Sequence, residues 1–373
     1  MVEFDHVGPE KIFQVYNPKV GMRGFVVIDN TALGPGKGGI RMTPTVTVDE
    51  VAKLARAMTW KNSLAGLPFG GAKGGIIADD KSISPKKKQE LVATFAKAIK
   101  AINPSLYIAG PDMNMAETEM KTFVEANGDP TAATGKPKAM GGLPHELGST
   151  GFGVFHALKV AADFNNMDLA KCTVAIEGFG NVGWFAAKFL AEVGAKIIAV
   201  SDSRGVAYKK DGLDFKTLAK VKQEKRTVTA YPGCKILPGT EIVLTDAKIL
   251  VTAAIPDLIR EEHVDKIKAE LIVEGSNIPA KPKTEAMLHH RDILVVPDFV
   301  ANAGGVISSY VEYKKGTEQE MFKLVEEKIT ENTKEMLKRM RNDEITPREA
   351  ALVIAEERVL EVCEHCRVPE RKK

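Results

Sequence analysis

Hydrophobic and polar positions along this chain fall into segments of different period, and each period predicts an element. Residues 24–29 (GFVVID) form a nearly continuous apolar run, which predicts a buried strand. Between 49 and 64, Val51, Leu54, Ala55 and Met58 recur at helical spacing, so one face of a helix packs. Lys61 lies three residues beyond Met58, at the edge of that stripe, where a charge is not expected. A lysine-rich segment near 85–102 predicts a second helix, and 106–110 (LYIAG) a strand that delivers Asp112 in the turn GPDMN. From 127 to 149 the stretches NGDP, TGKPKAMGG and LPHELGS are dense in turn formers and predict a connection between domains.

Past that connection the pattern becomes strand, helix, strand over 173–202, followed by apolar strands at 248–255, 270–276 and 293–298 and a helical tail. Gly178, Gly180 and Gly183 make a GxGxxG directly after the first strand and before the helix, and Asp202 ends the next strand nineteen residues past Gly183. In that context the glycines predict a dinucleotide site: one for a tight turn, one for close approach of a pyrophosphate, one for helix-on-strand packing. A parallel sheet binds its ligand beyond the carboxyl ends of its strands, which adds Thr252–Ile255, Gly275–Asn277 and the NAGG at 302–305 to the lining. The last helix opens with Thr346, Pro347 and Glu349, a capping box with proline in the first turn.

Length and composition narrow the classes. A chain of 373 residues fits two domains and hence a cleft; 44% apolar and 27% charged residues suit a globular protein. No apolar run approaches the roughly 20 residues of a membrane helix. The N-terminus MVEFDHVGPEK carries early acids and no apolar signal core, so a cytoplasmic protein is expected. A net charge of +3 with both signs interspersed gives no basic stripe for nucleic acid. Four cysteines, at 172, 234, 363 and 366, are too scattered for a disulfide framework. The CxxC of Cys363 and Cys366, near the end of a helical pattern and without a second ligand pair, reads as incidental helix neighbours, so no metal site is expected.

The chemistry of the first half rests on cations. Lys37 sits in GPGKGGIRM, Lys73 in LPFGGAKGGI between two glycine pairs, and Lys61 on the helix edge. Neither glycine–lysine stretch is a phosphate-binding P-loop, because that motif continues with Ser or Thr after GK and both lysines here precede Gly. Lysines brought near one another depress each other's pKa, and desolvation in a glycine-lined pocket depresses it further. One of the three is then expected to be a usable base near neutral pH, the other two to hold anions such as carboxylates, and Asp112 to shuttle protons to and from a nitrogen or oxygen at the reacting carbon.

GPGKGGIRM, MTWKNSLAGLPFGGAKGGI, GPDMN, STGFGV, GFGNVG and PDFVANAGGVISSYVEY, in this order and spacing, resemble the glutamate, leucine, phenylalanine and valine dehydrogenase family from about residue 12 to residue 362. The resemblance implies an α/β fold in two parts. The first is an N-terminal α/β substrate-binding and oligomerisation domain at 1–145 and about 335–373, with the C-terminal helices packing back on it. The second is a Rossmann-type NAD(P)-binding domain at 146–334.

The same resemblance implies that Lys73 is the catalytic lysine that activates water, that Lys61 binds the α-carboxylate and that Asp112 moves protons at the amino group. Gly39 and Gly110 bring backbone to that pocket, and Val306 and Ser309 line it with Lys37. A lysine and a serine at the side-chain pocket, Lys37 and Ser309, imply L-glutamate as substrate, with 2-oxoglutarate and ammonia as products. An apolar or aromatic amino acid is the alternative within the family, and a non-catalytic regulatory member the alternative of another class. Contacts to NAD or NADP are implied at Thr150, Gly178, Phe179, Gly180, Asn181, Val182, Gly183, Asp202, Ser203, Arg204, Ala253, Ala254, Asn277 and Asn302. Asp202 suits a ribose 2′-hydroxyl and Arg204 a 2′-phosphate, which leaves the choice of cofactor open. Family assembly implies a homo-oligomer, with a hexamer as the first expectation.

Overall fold

The strand expected at 24–29 runs from Met22 to Asn30 in the computed structural model, which describes residues 2–367. It is β2, and its alternate side chains serve opposite layers. Met22, Val26 and Ile28 join a core with Leu91, Val92 and Phe95 of α2 (Pro85–Ala98) and Met120 and Phe123 of α3 (Glu117–Asn127). Phe25 and Val27 face the other way, onto Val51 and Ala55 of α1 (Val48–Leu64). The sheet is completed by β1 (Lys11–Asn17), β3 (Gly36–Lys37), β4 (Ile40–Thr43), β5 (Gly70–Ile77) and β6 (Tyr107–Ile108), in the order β1-β2-β5-β3-β6 with β4 also on β5. β1, β2 and β5 pair antiparallel, while β3 and β4 run parallel to β5.

Thr47 caps α1, its side chain accepting from Glu50 N at 3.1 Å. The buried stripe of α1 is Val51, Ala55, Thr59 and Asn62, and the expected Leu54 and Met58 are only half-buried. Two polar residues take the inner positions because each has a partner there. Thr59 Oγ1 donates to Asp29 at 2.5 Å, and Asn62 Nδ2 to the Gly70 carbonyl at 2.7 Å. The glycines of β5 let this helix lie directly on the strand: a Cβ at Gly71 would stand 2.1 Å from Thr59 Oγ1 and 2.5 Å from the Ala55 carbonyl oxygen. The helix expected to reach 102 ends at Ala98, and the strand expected at 106–110 contracts to Tyr107–Ile108. Between them buried Asn103 donates to the carbonyls of Tyr107 and Ala132 at 2.7 and 2.9 Å, which fixes a turn in place of regular structure.

The second sheet holds β7 (Thr173–Glu177), β8 (Lys196–Asp202), β9 (Gly205–Tyr208), β10 (Lys235–Leu237), β11 (Ile249–Thr252), β12 (Leu271–Glu274) and β13 (Leu294–Val296) in the order β10-β9-β8-β7-β11-β12-β13. β8, β7, β11, β12 and β13 are parallel, and β9 and β10 form an antiparallel edge. Helices α4 (Ser149–Phe164), α5 (Asn181–Glu192), α6 (Phe215–Lys225) and α7 (Pro282–His289) accompany it. From β7 the chain crosses to β8 on one side and later returns to β11 on the other, so the strand order switches at the carboxyl end of β7. That is where open parallel sheets bind ligands. The strand expected at 248–255 stops at Thr252 because the next amides turn away: Ala253, Ala254 and Ile255 donate to the Glu177 carboxylate at 3.0, 2.9 and 3.3 Å.

The described chain ends with α8 (Asp298–Ala301), α9 (Gly304–Tyr313), α10 (Glu318–Asp343) and α11 (Pro347–Leu360), the last opening on the expected capping box. Contacts divide the chain into two units: Met1–Pro144 with Val306–Glu320 and Val353–Lys373, and His145–Gly305 with Met321–Leu352. The turn-rich connection supplies the first boundary, but the later ones differ from the single change expected near 335. Residues 306–320 belong to the first unit because Tyr310 and Tyr313 meet Phe69 edge-on, with centroids 5.7 and 5.4 Å apart. Residues up to 352 stay with the second because Arg348 reaches Glu274, Glu285 and Asp298 at 3.1, 2.6 and 2.9 Å. The end of α11 packs on the first unit, with Ser63 Oγ donating to the Ala355 carbonyl at 2.6 Å.

Cys363 and Cys366 are not the incidental helix neighbours expected. They lie past the end of α11 and are joined in a disulfide, because the turn that follows Leu360 folds the two sulfurs together. No described helix is long and apolar enough to cross a membrane.

Candidate active site

Lys73 leaves β5 between its two glycine pairs, buried, with Nζ 3.1 Å from Asp112 Oδ2. Asp112 follows β6 in the turn GPDMN and also accepts from Arg41 Nε at 3.0 Å; Arg41 in turn reaches Glu50 at 2.6 Å. Gly39 permits this approach, since a Cβ there would stand 2.5 Å from the Pro111 carbonyl oxygen and 2.8 Å from Asp112 Cβ. Burial lowers the pKa of Lys73, against the opposing pull of Asp112. For Asp112 burial pushes upward, but the Lys73 and Arg41 cations outweigh it and hold the carboxyl below its usual range. An ammonium eased toward neutrality beside a fixed carboxylate is equipped to exchange protons.

Lys37, on β3, is fully buried, and its Nζ donates to the Ala109 carbonyl at 2.7 Å. Burial first, then Lys136 and Lys73, bring its pKa down to about 7, with Glu312 opposing. Gly110 makes room for it: a Cβ there would stand 2.7 Å from that Nζ. The same point lies 3.7 Å from Thr134 Oγ1, a buried hydroxyl with no hydrogen-bond partner among the described residues. Glu312, on α9, accepts from Lys136 Nζ at 2.8 Å and from the amides of Gly135 and Leu143 at 3.0 and 3.1 Å. A buried ammonium beside an unused hydroxyl is an arrangement that a carboxylate completes.

Lys37, Gly39, Lys73, Gly110 and Asp112 therefore come together from β3, β5 and the turns around them. Lys61 is carried, half-buried, by the last turn of α1, one residue before Asn62, which ties that helix to β5. Val306 and Ser309 lie half-buried on α9, spaced by one turn and on the face that carries Glu312; Ser309 makes no hydrogen bond to either lysine among the described residues. Sequence reasoning missed Arg41, Thr134, Lys136 and Glu312. Glu312 carried a signal, as a lone acid in an apolar helix three residues from Ser309. Thr134 and Lys136 lay in a stretch legible only as a connection.

In the second unit the glycines of the β7–α5 turn divide their tasks. Gly178 adopts φ +87°, nothing lies within 4 Å of a Cβ built on Gly180, and a Cβ on Gly183 would stand 1.9 Å from the Gly178 carbonyl oxygen. Gly180, at the N-cap of α5, which begins at Asn181 and Val182, has no side chain to cap the helix, and a helix start of this kind suits an anion. Phe179 is buried beneath the turn, and Ala254 packs on it, 2.6 Å from the position of a Gly178 Cβ. Ala253 and Ala254 have their amides engaged by Glu177. Asn302 Nδ2 donates to Asn277 Oδ1 at 3.1 Å, and its own Oδ1 is buried without a partner among the described residues. Thr150, on the first turn of α4, approaches Gly305, where a Cβ would come within 3.3 Å of its Oγ1.

Asp202 departs from its expected role. Its Oδ1 accepts from Arg204 N at 2.9 Å and Thr227 Oγ1 at 3.2 Å, and its Oδ2 from Lys222 Nζ at 2.6 Å and Val228 N at 2.8 Å. A carboxylate offers about four lone-pair sites, so none is left for a ribose hydroxyl. The residue instead organises the loop bearing Ser203 and Arg204, both exposed. Open space over Gly180, an uncapped helix start and an orphaned amide oxygen at Asn302 still fit a dinucleotide.

A parallel sheet ending in such a glycine turn, carried by a chain that also buries a lysine–aspartate pair, defines a nicotinamide-dependent dehydrogenase. The chain belongs to the Glutamate/Leucine/Phenylalanine/Valine dehydrogenase family: the family profile matches residues 141–366, and that of the family's dimerisation domain residues 9–127. It is 42% identical over 347 residues to a glutamate dehydrogenase of Aeropyrum pernix, covering 88% of this chain and 83% of the relative. It is 39% identical over 345 residues to the NADP-specific glutamate dehydrogenase of Saccharolobus shibatae, covering 86% and 81%. Among solved structures, the hetero-hexameric glutamate dehydrogenase of Thermus thermophilus in its leucine-bound form matches with a TM-score of 0.83 and 29% identity, covering 97% of this chain and 91% of that one.

Proposed function

We propose that this chain catalyses the reversible NAD(P)-dependent oxidative deamination of L-glutamate to 2-oxoglutarate and ammonia. The observation that carries the substrate is the buried Lys37 ammonium beside the unpartnered Thr134 hydroxyl. An aliphatic side chain facing these groups would leave them unpaired, at a cost of about 1–3 kcal/mol for each. The similarity to glutamate dehydrogenases of Aeropyrum pernix and Saccharolobus shibatae supports the same reading.

Lys61 takes the α-carboxylate and Lys37, with Ser309 and Thr134, the γ-carboxylate; Val306 lines the aliphatic portion. Lys73 takes a proton from the water that attacks the imino carbon and stabilises the carbinolamine that results. Asp112, aligned by Arg41, exchanges protons with the amino nitrogen. The nicotinamide, when bound, supplies the hydride acceptor. The Rossmann-type unit, His145–Gly305 with Met321–Leu352, holds the cofactor through the Gly178–Gly183 turn, Thr150, Asn277 and Asn302. Lys222 and Arg204 around an already occupied Asp202 support acceptance of NADP as well as NAD. We read the assembly as a homo-hexamer; the hetero-hexameric Thermus thermophilus relative supports six subunits, and their identity is this reading's own.

The test is a panel of initial rates on glutamate, leucine, valine, phenylalanine and tryptophan with each cofactor. Glutamate is expected to lead in kcat/KM by about a hundredfold or more. Absence of glutamate turnover overturns the substrate, and reduction of neither cofactor by any amino acid points to the non-catalytic alternative.

A further inference from the structure

The turn after α11 gathers soft metal ligands away from the pocket just described. The sulfurs of Cys363 and Cys366 and an imidazole nitrogen of His365 all lie within 4.8 Å of one another. The turn is seated on the first unit. Asn30 Nδ2 stands 3.3 Å from Cys366 Sγ and 3.8 Å from Cys363 Sγ, and Arg367 N donates to the His6 carbonyl at 3.0 Å. His365 Nε2 lies 3.0 Å from Glu10 Oε1, and Glu10 is held in turn by the Thr31 amide at 2.6 Å. A carboxylate on one ring nitrogen orients an imidazole and leaves the other nitrogen for a metal, the usual support of a ligating histidine.

We propose that, with Cys363 and Cys366 reduced, this turn binds one zinc ion through the two thiolates and His365, with Glu10 orienting the imidazole and water filling the fourth position. Thiolate and imidazole donors select zinc over magnesium or calcium, and three protein ligands plus water is a familiar zinc set. In the structure the two sulfurs are bonded to each other, which is the metal-free state of the same turn. Passing from that state to the dithiol takes two electrons and two protons: a cellular dithiol supplies both and leaves as its disulfide, while in vitro a phosphine supplies the electrons and water the protons, leaving the phosphine oxide. Zinc binding then exchanges two S–H protons for two Zn–S bonds and moves no electrons. The sequence alone offered only a pair of ligands; His365 becomes a third because Glu10, 355 residues earlier, meets it.

The proposal does not depend on the enzymatic reading, and its test has its own readout. The full chain is reduced with a phosphine without oxygen, stripped with a chelator, and titrated with zinc against a chromophoric competitor, then with cobalt. One zinc per chain is expected, together with thiolate-to-cobalt charge-transfer absorption. Cys363→Ser and Cys366→Ser should abolish both signals, and Glu10→Gln should weaken zinc by about tenfold to a hundredfold, with dehydrogenase activity and melting temperature unchanged. Less than about 0.1 zinc per reduced chain, or equal binding by the serine variants, overturns the site. So does a disulfide that survives the phosphine, read by alkylation and mass spectrometry.

Discussion

Lys73 and Lys37 are both buried, yet the proposed mechanism asks the first to give up its proton and the second to keep it. Asp112 at 3.1 Å pairs with the first, while the second donates to the Ala109 carbonyl and feels the charge of Glu312. Lys73→Ala should lower kcat by about 10²–10⁴-fold and leave NAD(P) affinity, measured by fluorescence titration, within about twofold. A comparable loss of cofactor binding would show that the lysine had been given the wrong task. Lys37 loses its proton near pH 7, well below its ordinary 10.5. On the proposed assignment its ammonium meets the γ-carboxylate of glutamate below that point, and above it the neutral amine no longer balances that charge. The ratio of kcat/KM for glutamate to that for norvaline should therefore fall as pH rises through about 7, and Lys37→Met should flatten the profile. The sign for stability is opposite. Between 7 and 10.5 the unfolded chain binds this proton and the folded chain does not, so this residue's contribution to stability rises with pH across that window.

At the scale of elements, the β7–α5 turn separates folding from binding within six residues. Gly183→Ala would drive a Cβ to 1.9 Å from the Gly178 carbonyl oxygen, and should cost about 1–3 kcal/mol or more, seen as a lowered denaturation midpoint. Gly180→Ala meets nothing within 4 Å, so the midpoint should hold while NAD(P) binding weakens about tenfold or more. Equal cofactor affinity in the Gly180 variant would mean the pyrophosphate lies elsewhere. This turn was legible in the sequence because everything that makes it is local: strand, glycines and helix are adjacent in the chain. The inner face of α1 was not, because Thr59 and Asn62 are buried only by virtue of Asp29 and Gly70, which the fold brings to them. The end of β11 was hidden for the same reason, its following amides being claimed by Glu177 from another strand.

For the whole molecule, the order of the two parts was readily legible, since the period of the hydrophobic positions changes across a turn-rich connection. The exchange of carboxyl-terminal segments between units was unreadable. It is decided by Tyr310 and Tyr313 meeting Phe69, and by Arg348 among three acids, pairings that no local pattern encodes. If the assembly is a homo-hexamer, light scattering of the purified chain should return six copies of 40.5 kDa, about 240 kDa. A monomeric or dimeric mass at micromolar concentration would contradict it.

The close seating of α1 on β5 also limits how the catalyst can be redesigned. Directed evolution of substrate range should find its latitude at half-buried Val306 and Ser309. Saturating positions 70, 71, 74 and 75 would mostly yield inactive clones, because a Cβ at each would stand between 1.9 and 3.0 Å from atoms already packed around the strand that carries Lys73.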